Sequence, residues 1–424
     1  MRHLAMARSE ILFPVTRGTL RKLGFLIASL LAVGASATAG STPCSQEEIE
    51  RTAQALQEAR RTLLQLPVGD GLVPDVPKPA RHSISGMKAA LGRFIVAYMA
   101  CVPVASEPDP AKMEAELSRM GHAFSLEGGR IYKNEELPPD FGKYGFELWF
   151  RVKAAGGGKP RVGIVSSFSI ECGSDAVLMV FSAEGDAWRE VLHWESRPYR
   201  TVAGAFWSFA YSMSPPDSSG EWYVVTKNVL PWCSSTWSAI QFTVLRPVGG
   251  TPSPQVLLSG REDMWWGNED MGTVEANAED FEVRYHSSSI DSGVHNRVYM
   301  LHYGIRGDRI ARIPPIAASP RDFVDEWIRL PWPQAEQWSD PADKSALNAF
   351  HRRLHRKSVA FDFGFESVHL CSDALSVYEV AVSRDDAEFY FLVQASGTFT
   401  MKEVSNARHP GCGGKNLLDT METK

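Results

Sequence analysis

The densest polar stretch of the chain is Tyr285-His286-Ser287-Ser288-Ser289-Ile290-Asp291-Ser292-Gly293-Val294-His295-Asn296-Arg297, set between two segments of strand character. It carries two imidazoles, a carboxylate, a guanidinium and several hydroxyls. Divalent metals accept imidazole nitrogen and carboxylate oxygen, so His286, Asp291 and His295 form one candidate set. Arg297 and Arg312, with Asp308 in the next hairpin, offer another chemistry, a bidentate clamp on an anion or a sugar. A third reading is a long connection held by Asx and Ser turns, its Arg and Asp paired across strands. His286, Asp291, His295, Arg297, Asp308 and Arg312 are therefore the candidate ligand-binding residues, with no metal or cofactor expected.

Other clusters are weaker. His351-Arg352-Arg353-Leu354-His355 spaces two histidines one helical turn apart, but lacks the glutamate that a zinc helix uses as general base. Its basic neighbours oppose a cation, so a solvated basic helix end is expected. In Ser319-Pro320-Arg321-Asp322-Phe323-Val324-Asp325-Glu326-Trp327, Asp322 reads as a capping residue. Phe323, Val324, Trp327 and Ile328 form the buried stripe, which leaves Asp325 and Glu326 nearer solvent. The aromatic runs Trp207 to Tyr211, Trp265-Trp266 and Trp332 to Trp338 read first as core and second as a sugar-stacking platform. The chain has no G-x-S-x-G elbow, no P-loop and no C-x-x-C. Binding is favoured over catalysis on that ground.

The elements that must position these groups begin with a leader. Arg2, Arg8, Arg17, Arg21 and Lys22 precede an apolar run, Leu23 to Val33, and then small residues ending Ala37-Thr38-Ala39. That is the pattern of a signal peptide over residues 1–39. The leader holds five of the 44 basic residues and one of the 50 acids, so the mature chain carries about −10. Such a balance argues against nucleic acid and anionic lipid as partners. A carbohydrate or an envelope protein is the expected kind of partner. All six cysteines, Cys44, Cys101, Cys172, Cys233, Cys371 and Cys412, follow the leader, as three disulfides in an exported chain require.

Residues 40–124 read as an α-helical hairpin region. Ser45 and Glu48 form a capping box, and apolar residues recur at helical spacing from Ile49 to Leu66. A second helix is expected to begin near Ser85 after a Pro/Gly-rich loop, and a third to run from Asp109-Pro110 to Gly121. Cys44 and Cys101 fall at ends that meet in an antiparallel hairpin, which predicts their disulfide. Cys172–Cys233 and Cys371–Cys412 are the nearest remaining pairs. Residues 129–424 read as a mainly β domain with a helical insertion at about 319–357. Its short strands are separated by turn signals such as Glu184-Gly185-Asp186 and Arg306-Gly307-Asp308. A strand is expected at Val359 to Phe365, and a loose tail at the end. Phe168 to Ala176 resembles Ser367 to Ala374, each a strand, a cysteine and a Ser-Asp turn. Repeated strand–turn–strand units favour a β-propeller-like array, with a β-sandwich or an α+β fold as the alternatives.

The stretch 295–338 resembles a family of uncharacterised secreted bacterial proteins. The resemblance rests on His295-x-Arg297, Tyr303, Gly307-Asp308, Arg312, Pro315, the run Ser319 to Trp327, then Trp332 and Trp338. It implies export and assigns no activity to any residue. The expected protein is an exported, disulfide-stabilised, non-catalytic binding or interaction module of the bacterial envelope, periplasmic or extracellular. The alternative is a secreted hydrolase with its site in the 286–312 loops.

Overall fold

The computed structural model describes residues 44–67, 76–104, 107–123, 143–170, 173–195, 208–230, 237–265, 271–292, 296–355, 362–371 and 376–418. The expected leader, His295, and the Cys172–Cys233 pair lie outside these residues.

Three helices come first: α1 (Gln46–Leu64), α2 (Lys78–Met99) and α3 (Pro110–Met120). Ser45 caps α1, its hydroxyl accepting from Glu48 N, and Asp109 caps α3 by accepting from Lys112 N. α2 begins seven residues earlier than expected. Pro79 sits in its first turn, where the missing N–H costs nothing, so the proline opens the helix instead of ending the loop. Cys44, just before α1, is bonded to Cys101, just after α2, with Cα atoms 4.6 Å apart. A second disulfide joins Cys371 to Cys412. No helix among the described residues is long and apolar enough to cross a membrane.

The rest is mainly β. Among the described residues, sixteen strands form four antiparallel sheets, each built from four consecutive strands and none closed. The first holds β1 (Leu148–Ala155), β2 (Arg161–Ile170), β3 (Gly173–Glu184) and β4 (Ala187–Glu195). The second holds β5 (Ala210–Met213), β6 (Val224–Val229), β7 (Trp237–Val248) and β8 (Thr251–Trp265). The third holds β9 (Thr273–Ala276), β10 (Asp280–Ser288), β11 (Asn296–Arg306) and β12 (Arg309–Ile313). Helices α4 (Pro320–Arg329), α5 (Trp332–Ala335) and α6 (Lys344–Leu354) precede the fourth sheet. That sheet holds β13 (Gly364–Leu370), β14 (Val377–Arg384), β15 (Ala387–Ser396) and β16 (Thr398–Ser405). The tight turns at Gly185 and Gly307 put those glycines at φ of 65° and 57°, which other residues reach only at a steric cost.

Period-two alternation sends the two faces of each sheet to different neighbours. Leu148, Phe150, Val177 and Met179 pack with α1–α3, whereas Val165, Leu178 and Val180 pack with Tyr211, Val224 and Leu245 of the second sheet. The other face of the second sheet, Ile240, Phe242 and Val244, meets Phe281, Val283 and Leu301 of the third. β2 and β3 are thus covered on both faces, which is why they read as continuous runs without polar alternation. Close approach between the first two sheets needs glycine at position 163, where a Cβ would lie 2.6 Å from the Tyr211 hydroxyl.

Several expectations are corrected. β16 (Thr398–Ser405) forms the edge of the fourth sheet, and the tail with Gly411-Cys412-Gly413-Gly414 follows it without strand structure. The strand expected at 359–365 is β13, Gly364–Leu370. Within the expected helical insertion, α6 starts at Lys344, and Asp340 closes the turn before it by accepting from Ala342 N. The two similar cysteine segments fall after the second strand of one sheet and after the first strand of another, so they are not equivalent positions of a repeat.

Candidate functional site

The segment read as densest in chemistry is consumed by packing. α4 carries Arg321, Asp325 and Arg329 at helical spacing on one side, and all residues from Pro320 to Ile328 are buried. Asp325 is fully buried. It accepts from Arg297 Nε at 3.0 Å, Ser289 Oγ at 2.7 Å and Ile290 N at 2.8 Å. Arg297 also donates to Ile316 O at 2.7 Å, and its guanidinium lies 3.9 Å from the Tyr299 ring centre. Arg321 pairs with Asp291 at 2.9 Å, and Arg329 donates to Ser288 O at 2.6 Å. Burial raises the carboxyls of Asp322 and Glu326 above the usual range, an effect opposed by nearby Arg297. Asp325 and Glu326 therefore face inward, contrary to the amphipathic reading. The polar side of α4 meets a complementary charged surface of the third sheet, while Phe323, Val324, Trp327 and Ile328 meet the fourth.

The six candidate residues do not converge. Asp291 and Arg297 are drawn to α4, each to a different partner. His286 is half-buried and bonded to Asn296. Asp308 sits exposed in the turn between β11 and β12, paired with Arg246 of β7. Arg312 is exposed on β12 opposite Tyr303, and His295 is not among the described residues. No group of three or more His, Cys, Asp or Glu is placed to hold a metal among the described residues.

The paired histidines of α6 also act structurally, and the expected solvated helix end is wrong for one of them. His351 is buried; its Nε2 donates to Leu330 O at 2.9 Å and approaches Trp327 O at 3.2 Å. His355 Nδ1 donates to Ile328 O at 2.9 Å. Both imidazoles satisfy carbonyls at the C-terminal end of α4 that have no partner within the helix. Burial, with His355 adding, lowers the pKa of His351.

A different place gathers ionisable groups beside open space. Lys88 of α2 is buried against β3, its Nζ 3.2 Å from Asp175 Oδ2 and 3.4 Å from Glu195 Oε2. Glu195 Oε1 lies 3.1 Å from His193 Nε2, and His193 Nδ1 lies 2.9 Å from Glu190 Oε1. The chain of charges Asp175, Lys88, Glu195, His193, Glu190 runs from the interior to the rim of a cleft of about 340 Å³ between α2 and β4. Strict alternation would put Glu190 and His193 on opposite faces of β4. The register shifts here, Val180 facing Leu192 and Phe181 facing Glu190, so Val191 is an extra residue. This bulge reverses the parity and re-aims Glu190 to the side of His193 and Glu195.

Compared with family models, with curated proteins and with solved structures, the chain gives no match. The cleft therefore has to be read from its own chemistry. In the sequence, Lys88 sits inside the apolar stripe of α2 beside Met87 and Leu91. A lysine there is the one available signal, since such a charge stays buried only when paired.

The two flanking carboxylates, Glu190 first, raise His193 to about 9 despite its burial. Its folded pKa lies above the unfolded value of about 6.5. Its contribution is then full below pH 6.5 and is lost as pH rises through about 9. His193→Gln is expected to destabilise the chain in urea at pH 6, with the difference from the parent shrinking toward pH 9.5. A difference that stays constant with pH would show that the imidazole is not charged in the fold.

Proposed function

We propose that this chain is an exported, non-catalytic binding module of the bacterial envelope, and that the cleft between α2 and β4 is its ligand site. The observation that carries this reading is the bulge at Val191, which brings Glu190 and His193 to one wall of an open cleft, with Glu195 behind them joining His193 to Lys88. A cleft of that volume falls within the range of small-molecule sites, from about 300 to 1,000 Å³. Export is supported by the leader pattern and by two disulfides. Four consecutive four-stranded meanders support a propeller-like array as the framework. The resemblance of residues 295–338 to secreted proteins supports the same compartment. The hydrolase alternative is weakened at two of its six groups, because Asp291 and Arg297 are committed to buried ion pairs.

One preparation tests both halves. Purified from the export compartment, the protein should have the mass of a chain beginning near Thr38 or Gly40; a retained leader overturns export. A panel of small polar metabolites should then contain at least one compound that raises the melting temperature of the parent but not of Ala89→Trp. Ala89 is exposed and lines the cleft, so the indole fills it without disturbing the core. A panel with no such compound overturns the cleft as the ligand site.

A further inference from the structure

We propose that the cleft takes a small zwitterion with an apolar body, the class of free α-amino acids, with its carboxylate on Arg93 and its ammonium on Glu190. This rests on the reading of the cleft as a ligand site and names what that site selects.

The argument starts from which polar groups are still available. Lys88 is engaged by Asp175 and Glu195, and both nitrogens of His193 are engaged by glutamates. Glu195 is used on both oxygens, by His193 and Lys88. Glu48, also on the rim, is taken up by Arg51 through contacts of 2.6 and 2.9 Å. Two groups on the lining remain. Arg93 is exposed and has no partner among the described residues, so its fork of donors is open to a carboxylate. Glu190 uses Oε1 on His193, and its Oε2 has no partner among the described residues. One cationic and one anionic valence are thus left on the same cleft.

Charge balance narrows the ligand. Lys88, His193 and Arg93 are positive, and Asp175, Glu190 and Glu195 are negative, His193 being protonated at neutral pH. The set is neutral, so a ligand of net charge would enter with nothing to offset it, while a zwitterion meets an opposite charge at each end. The floor asks for an apolar body. It is made by Ala89, Gly92, Val96, Ala97 and Met179. At Gly92 a Cβ would meet only the His193 ring, at 3.7 Å, so the helix surface is left bare there. His193 lines the cleft beside Gly92 and fixes Glu190; both its ring nitrogens are engaged by glutamates, so it offers the ligand no hydrogen bond.

The test is calorimetric titration of the full chain with leucine, leucinamide, N-acetylleucine and N-acetylleucinamide, which keep the side chain and vary the charged ends. Leucine is expected to bind and the three blocked forms to bind at least about tenfold more weakly, as loss of a charged hydrogen bond implies. Arg93→Gln, an exposed position that leaves the buried charges in place, should weaken leucine by a similar factor, and Glu190→Gln likewise. N-acetylleucinamide binding as tightly as leucine, with sensitivity to Ala89→Trp, would overturn the zwitterion and keep the cleft. Binding that Ala89→Trp does not affect, or no binding by any of the four, would overturn the zwitterion site; only the first would place a ligand elsewhere on the chain.

Discussion

Asp325→Ala is expected to lower the unfolding free energy by about 3–5 kcal/mol, the cost of removing one partner from a buried ion pair. Both partners are almost wholly out of solvent, with side-chain exposures of 1% for Arg297 and 0% for Asp325. The carboxylate also satisfies Ser289 Oγ and Ile290 N. The truncation therefore leaves a buried cation, a hydroxyl and a backbone N–H short of an acceptor, in a region too well packed to admit water freely. Urea unfolding at neutral pH measures the loss as a lower midpoint at unchanged slope. The double variant Arg297→Met with Asp325→Leu should recover the part of the loss due to the unpaired cation, while Ser289 Oγ and Ile290 N remain short of an acceptor. A single-variant loss below about 1 kcal/mol would mean that the pair behaves as a solvated one.

That network explains how far the sequence could be read. The hydrophobic side of α4, Phe323, Val324, Trp327 and Ile328, was legible because helical periodicity reports burial of apolar groups. Its polar side was misread because periodicity cannot distinguish charges facing water from charges facing complementary charges. Only the partner surface, Arg297 and the Ser288–Ile290 backbone, 28 to 41 residues earlier in the chain, makes that distinction. The same reason hides the cleft. Lys88 and Asp175 are far apart in sequence, and the bulge that turns Glu190 inward is a property of the β3–β4 register and not of either strand alone. The hairpin turn Arg306-Gly307-Asp308 ahead of β12, Arg309–Ile313, was legible because its turn residues fix it locally. β9 and β16 carry weaker local patterns, and they are strands because a neighbour supplies the ladder.

Replacing both Cys44 and Cys101 with alanine is expected to cost about 4 kcal/mol, the loop-closure entropy returned to the unfolded chain for a bond of this span. The two cysteines are 57 residues apart, and the bond encloses α1, α2 and the connection between them. The loss is measured by thermal and urea unfolding of the double variant beside the parent. Its form is as informative as its size. α1–α3 are not a separate layer: Leu56, Phe94 and Leu117 share one apolar cluster with Phe150, Ile164 and Met179 of the first sheet, and Phe94 stands 5.9 Å from Phe150. Arg60 adds a polar tie, donating to Gly145 O at 2.7 Å. The helices should therefore still unfold together with the sheet, in one transition at a lower midpoint. Two transitions in the double variant would mean that the disulfide, and not the shared core, holds the helices to the β body. In that event the wall of the cleft formed by α2 would be lost first, and ligand affinity would fall before the sheets unfold.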